Sequence, residues 1–352
     1  MIAAIVKKIK ENFKMERVII KRLLIAVFFV VLLLLLSLLM GRYPISIREL
    51  FDVLFSRIIV VDRSWSVVVE TVIFNIRLPR IIVAVLVGMA LATSGTAYQG
   101  MFKNPMVSPS ILGVSAGAGF GAAVAILLSL DIVGIQIFAF LFGILAVSLA
   151  FSISRLVSKD NNVSLILVLS GMIVSTLFSS LISLTKYVAD PDDKLPAITF
   201  WLMGSFSSVG FKDVCTIIGP ILLGLISLYL LSWKLNILSF GEEEAQSVGV
   251  NTNRLRMIVI LSSTLITASA ISVSGLIGWV GLIVPHLARM IVGSDHRVLI
   301  PTSMLMGGMY LLVVDDLARS IISIEIPIGI LTSLIGAPFF VWLLLKSRRG
   351  WS

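Results

Sequence analysis

Few residues in this sequence are of the types and spacings that chemistry needs. There is no Walker A phosphate loop, no H-E-x-x-H pair and no C-x-x-C. A single cysteine excludes a disulfide scaffold, and two histidines argue against a His-built metal or haem site. We therefore expect no catalytic residue, no metal ligand and no cofactor held by the chain itself. The groups that could do work are charges placed where an apolar chain has no need of them. Arg77-Leu78-Pro79-Arg80 opens an apolar stretch. Proline suits the first turn of a helix, but two cations there meet the positive end of the helix dipole. They read as anchors snorkelling at a helix end, or as a docking site for an acidic partner.

Asp315 and Asp316 close another apolar stretch, with Arg319 four and three residues on. Carboxylates inside a membrane are functional by default, but this spacing favours an ion-paired cap at the helix end. The third constellation is Gly241-Glu242-Glu243-Glu244-Ala245-Gln246-Ser247-Val248-Gly249. Two glycines bracket good helix formers, which predicts two short helices joined by a glycine. Three glutamates on an otherwise basic face read as a contact with another protein, or as a solvated acidic loop.

The elements that must position these groups are membrane spans. Of 352 residues, 58% are apolar and 13% charged, with mean hydropathy +1.08. Soluble domains are about 25% charged, and each span needs about 20 apolar residues. The chain divides at charges, prolines and polar clusters into 23–40, 81–99, 110–130, 132–154, 163–185, 214–232, 257–273, 276–293, 298–314 and 326–345. The first holds no charge and is followed by Met40-Gly41-Arg42 rather than an A-x-A-like site, so it reads as a retained span and not a signal peptide. Stretches 46–57 and 197–204 read as short helices at the surface. Placing the N-terminus inside puts 18 of 28 Lys+Arg and 7 of 19 Asp+Glu on the cytoplasmic side, a net +11 against −2 outside. That is the positive-inside bias. The basic balance is thus a topology signal, not a nucleic-acid patch. An all-α polytopic protein with ten spans and both termini cytoplasmic follows.

Glycine and proline mark further points. Gln99 to Gly113 reads as a tight cytoplasmic turn with two prolines. Gly113, Gly117 and Gly121 share one helix face, as close packing in lipid requires. Gly275, Gly278 and Gly281 precede Pro285-His286 and suggest close packing or a bend; His286 reads as a polar cap. Gly336-Ala337-Pro338 interrupts the last span.

Taken in order, Arg77-Leu-Pro-Arg80, Gln99 through Asn104-Pro105, Leu112-Gly113, the Gly241-Glu-Glu loop with Ser247-Val-Gly-Val-Asn251, Gly275 through Pro285-His-Leu-Ala-Arg289, and Glu325-Ile-Pro-Ile-Gly through Gly336-Ala-Pro338 resemble one family. It is the FecCD-type permease subunit of binding-protein-dependent ABC importers for iron–siderophore complexes, haem and cobalamin. The resemblance runs from about residue 20 to 348, with Arg319 to Glu325 one residue shorter than usual. It implies a homodimer around a central pathway in a prokaryotic inner membrane. Two cytoplasmic ABC ATPase subunits would use ATP and Mg, and a substrate-binding protein would sit outside. It further implies ATPase coupling through Gly241, Glu242, Glu243, Ala245, Ser247 and Gly249, and binding-protein docking on Arg77, Arg80 and Arg319. A cytoplasmic gate would include Asn104, Pro105 and Met106, with Ser164 placed nearby by alignment. The domain organisation is then a basic cytoplasmic segment 1–22, one permease domain 23–346 with its coupling loop 233–256, and a tail 347–352.

The competing reading is an ion-coupled secondary transporter or channel without an ATPase, with Asp315 and Asp316 relaying protons or ions. Such a carrier wants charges near mid-membrane, and none is clearly placed there by the sequence.

Overall fold

The computed structural model describes residues 28–57, 65–157, 163–322 and 324–347; the segment 1–22, the start of the first expected span and the tail 348–352 lie outside them. Every regular element among the described residues is helical. Helix α1 is described over Phe28–Leu39. It is followed by α2 (Ile47–Phe55), capped by Ser46 and Glu49 in a reciprocal box. Then α3 (Val67–Thr71) passes through a π-helical turn, Val72–Arg77, into α4 (Leu78–Met101). Next come α5 (Val114–Leu127), α6 (Ile132–Val157), α7 (Val163–Val188) and the short α8 (Lys194–Met203). After α9 (Phe211–Leu230) stand two short helices, α10 (Ser232–Phe240) and α11 (Glu242–Ser247). The chain ends with α12 (Thr252–Ser274), α13 (Val280–Val292), α14 (His296–Ser320) and α15 (Ile328–Ser347).

Six of these are long and apolar enough to cross a membrane: Val67–Met101 taken as one, α6, α7, α9, α12 and α14. Helices α1, α5, α13 and α15 are apolar but shorter. Among the described residues each expected segment overlaps one of these helices, and both expected surface stretches are short helices, α2 and the end of α8. The divisions between 130 and 132 and between 273 and 276 are true breaks. Ser129 turns with φ +58, and Asp131 accepts from Gly134 N at 2.9 Å to start α6. Gly275 stands at φ +68, a conformation open to glycine at no steric cost, and ends α12.

Helix α4 is the axis of the fold, buried along almost all its length. Its 24 residues span about 36 Å. Helix α14 packs antiparallel to it, backbone to backbone: a Cβ on Gly88 would collide with the Gly307 carbonyl, and one on Gly307 with that of Gly88. Gly95 meets the Gly281 carbonyl on α13 in the same way. The stripe on α5 is used as expected, Gly117 and Gly121 lying on the carbonyls of Phe142 and Phe138 of α6. Between helices in lipid the hydrophobic effect has little to work with, so close backbone approach through small residues does the holding.

Candidate functional sites at the two ends and half depth

Where α4 begins, α1 and α14 end, and the three sequence-selected arginines meet there. Arg80 Nε and Nη2 donate to Asp315 at 2.8–3.1 Å, while its Nη1 donates to Glu325 at 2.9 and 3.0 Å. Arg319 Nη2 donates to Asp316 one turn back, to Ser37 O at 2.7 Å and to Ser37 Oγ at 2.6 Å. Arg77 donates to Leu38 O and Tyr43 O at 2.5 Å and to Leu39 O at 3.2 Å. The three are only 3, 6 and 5% exposed for Arg77, Arg80 and Arg319.

This corrects the expectation that they present charge outward. A buried guanidinium without partners is too costly to keep, and here the end of α1 and the carboxylates of α14 lie within reach. The arrangement also resolves the dipole conflict. Arg77 opens α4 but rests on the terminal carbonyls of α1, where a cation is favoured. Asp315 and Asp316 form the ion-paired cap anticipated from their spacing, Asp315 with Arg80 and Asp316 with Arg319.

At half depth, two segments interrupt their helices. After α4 the chain turns at Lys103 (φ +51) and runs back into the bundle, where the 3-10 turn Pro109–Leu112 packs Pro109 on Gly281. Gly281 also approaches Leu91 O, in the middle of α4. This return explains why α5 is short. Opposite it, the stretch between Gly275 and Val280 is non-helical, and Trp279 holds φ +69, strained for a side chain that size. The two interruptions border a cavity of about 140 Å³ lined by Leu91, Ser108, Pro109, Ser110, Trp279 and Gly281 among others. Gly278 belongs also to a larger cavity of about 470 Å³ between Leu202 and Met203, Leu276, and Gly329, Ile330 and Ser333 of α15. Irregular backbone at membrane depth is tolerated where protein covers it or where it lines a cavity.

The sequence reading took 99–113 for a plain turn and missed its return. Two prolines explain a turn, but nothing local says how deep the second one goes. The stretch Gly113-Val114-Ser115-Ala116-Gly117 also spells G-x-S-x-G, a hydrolase pattern. It opens a helix with no strand before it, and Ser115 Oγ bonds Ser110 Oγ at 2.6 Å rather than a base.

At the far end of α4 lie the expected coupling and gate residues. Gly241 (φ +154) joins α10 to α11, as the glycine bracketing predicted. Ala245 is fully buried, and its carbonyl accepts from Val250 N at 2.9 Å. Glu242 is tied to Arg256 of α12 at 2.6 Å, while Glu243, Glu244, Ser247 and Gly249 are exposed. Phe240 and Val248 flank the loop at 79 and 66% exposure, an apolar contribution that the reading by charge overlooked. Asn104, Pro105 and Met106 are exposed on the turn after α4, with Asn104 Oδ1 accepting from Met106 N at 2.9 Å. Ser164 is half-buried at the start of α7. Asp295 caps α14, and hydrogen bonds from Arg297, joined by one from Asn236, hold its carboxyl well below the usual carboxylate range.

Residues 28–346 match the model of the FecCD transport family. The chain belongs to that family. It is 45% identical, over 90% of its length and 92% of the relative's, to the molybdate import system permease protein MolB of Haemophilus influenzae. It is 36% identical to the hemin transport system permease protein HmuU of Yersinia pestis, over 88% of this chain and 91% of that one. Among solved structures it is similar to a metal-chelate type ABC transporter in an inward-facing conformation, with TM-score 0.82 and 42% identity over 93% of this chain and 99% of that one. This member of the FecCD family is accordingly a multi-pass membrane transport protein of the permease type.

Proposed function

We propose that the chain is the permease subunit of an ATP-driven importer for a metal-centred cargo, chelate or oxyanion. Two copies enclose the pathway, two separate ATPase subunits hydrolyse ATP with Mg, and a binding protein delivers cargo from outside. The relatives named for molybdate, hemin, iron chelatin and cobalamin support the cargo class. Ten spans within residues 23–346, cytoplasmic termini and a cytoplasmic loop 233–256 complete this reading, with +11 on the inner side in its favour.

The observation that carries it is the pairing of the half-depth interruptions with the α10–α11 unit at one end of α4. An interrupted pair of segments around a cavity suits a gated pathway, and a glycine-jointed pair of short helices with exposed Glu243, Phe240 and Val248 suits a groove on a soluble motor. We assign ATPase coupling to Gly241, Glu242, Glu243, Ala245, Ser247 and Gly249, with Ala245 acting from inside the unit, and the inner gate to Asn104, Pro105, Met106 and Ser164. We assign binding-protein docking to the surface above Arg77, Arg80 and Arg319, which act there by holding helix ends in place.

The test is uptake into proteoliposomes holding the permease, its ATPase and its binding protein. Molybdate, a ferric siderophore, hemin and cobalamin are each offered. ATP-dependent uptake of one of them is the expected result. Uptake driven by an ion gradient without the ATPase would replace this reading by secondary transport.

A further inference from the structure

One side chain of α10 hydrogen-bonds the start of α14. Asn236 Nδ2 donates to Asp295 Oδ1 at 2.6 Å, and Asn236 Oδ1 accepts from His296 N at 2.8 Å. The ring Nδ1 of His296 lies 2.9 Å from the same oxygen, which has only lone pairs to offer, so Nδ1 carries the proton. Nε2 is then a buried acceptor with no partner among the described residues, aimed at Gly100, where a Cβ would collide with it. Gly100 in turn carries the turn of the proposed gate: Lys103 N donates to Gly100 O at 3.3 Å, and Asn104 N to Gln99 O at 3.2 Å. Gln99 is itself fixed from α13, accepting from Arg289 at 3.1 Å. The path therefore leads from α11 through Gly241 and the backbone of α10 to Asn236, and from there through His296 to the turn at 102–106.

We propose that Asn236 and His296 are a mechanical joint that carries displacement of the α10–α11 unit to the 102–106 turn, with Gly100 as its seat. This rests on the reading of α10–α11 as the ATPase contact. The missing Cβ at Gly100 lets the ring bear directly on the backbone that ends α4. A bidentate asparagine on the cap and first residue of α14 resists rotation in a way one bond does not. Coupling of this kind is a contiguous set of packed and bonded groups biased at one end.

The test uses Asn104→Cys in a Cys215→Ser background, assembled with the partner ATPase in nanodiscs. The rate of alkylation by a polar maleimide is read with and without ATP and Mg, together with ATP hydrolysis and the melting temperature. In the parent, nucleotide changes the rate. Asn236→Leu and Gly100→Ala should each shrink that change by about twofold to thirtyfold while hydrolysis continues. A lower melting temperature with the full nucleotide response would mean that the pair only caps α14, and the joint would be abandoned. Should Asn236→Leu fail to assemble, Gly100→Ala decides alone on the same criterion. Ser247→Trp, at an exposed position of the same α11, separates the two readings. If it abolishes the response while Asn236→Leu and Gly100→Ala retain it, coupling stands and the joint falls. If Ser247→Trp leaves the response intact, or the parent shows none, the coupling or gate reading fails and the joint with it.

Discussion

Arg80 and Asp315, 235 positions apart in sequence, form a buried ion pair at 2.8 Å that ties the start of α4 to the end of α14. Its side chains are 7 and 0% exposed, and Glu325 supplies a second carboxylate to the same guanidinium. Removing one member leaves the other with a single remaining partner, Glu325 for Arg80 or Arg319 for Asp315, so the loss stays below the about 3–5 kcal/mol of a fully uncompensated buried charge. Arg80→Met and Asp315→Leu should each lower the melting temperature of the detergent-solubilised protein sharply, and the double variant should recover much of the loss. Equal and additive losses would mean that the two do not act as a pair.

The same geometry predicts how charge reversal behaves at this end. Arg77, Arg80 and Arg319 all changed to Glu would put acids against Asp315, Asp316 and Glu325. We expect loss of folded protein rather than selective loss of binding-protein affinity. Exposed docking pairs contribute about 0–1 kcal/mol each and are weakened by salt. A well-folded triple variant with weakened, salt-insensitive docking would restore the outward-facing role.

Much of this architecture is legible in sequence because lipid imposes a simple rule. Runs such as Leu23 to Met40 have no other use, and the spacing of Gly113, Gly117 and Gly121 gives a packing face that needs no partner to be known. The α10–Gly241–α11 unit is also local, since a glycine between helix formers is a statement about adjacent residues. The arginine cluster was misread because its partners are not local. Arg77 finds carbonyls 34 to 39 positions back, and Arg319 finds Ser37 across 282 positions. Nor does any pattern announce that Pro109 returns to the level of Leu91, or that Trp279 takes a left-handed backbone.

The Gly95–Gly281 contact predicts a steric limit. Gly95→Val would force α4 from α13 at a point where backbone meets backbone and no flexible side chain can yield. Overpacking of this sort costs about 1–3 kcal/mol, occasionally more. Gly219, whose added Cβ would meet nothing within 4 Å, is the matched control. Melting of Gly95→Val and Gly219→Ala in parallel should show a loss only in the first.

Asp295 makes the stability of the α10–α14 junction depend on pH. Its folded pKa is depressed, first by the bond from Arg297, so its contribution is present above the unfolded value of about 3.9 and is lost as pH falls through the folded one. Asp295→Asn should therefore melt below the parent near neutrality, with the gap narrowing as the solution is acidified. A gap that widened in acid would reverse the sign and refute the assignment.

The last prediction concerns the proposed inner gate. Asn104 is exposed on a turn whose backbone hangs from Gln99 and Gly100, and Ser164 is half-buried at the start of α7. The returning segment packs on the same α7, Gly171 lying against the Ile111 carbonyl, so a shift of α7 has a direct path to the turn. If two copies face each other here, Asn104→Cys and Ser164→Cys, each in a Cys215→Ser background, should cross-link to their counterparts in a nucleotide-dependent way. The native thiol must go because Cys215 is itself exposed. Lys103, in a left-handed backbone at φ +51, holds the bend, and Lys103→Gly should leave the turn formed while lowering its strain. Cross-linking that ignored nucleotide would make the turn a fixed contact between copies. No cross-linking with or without nucleotide would place the turn away from the two-fold axis, and the gate would then have to be sought at the Pro109–Trp279 level instead.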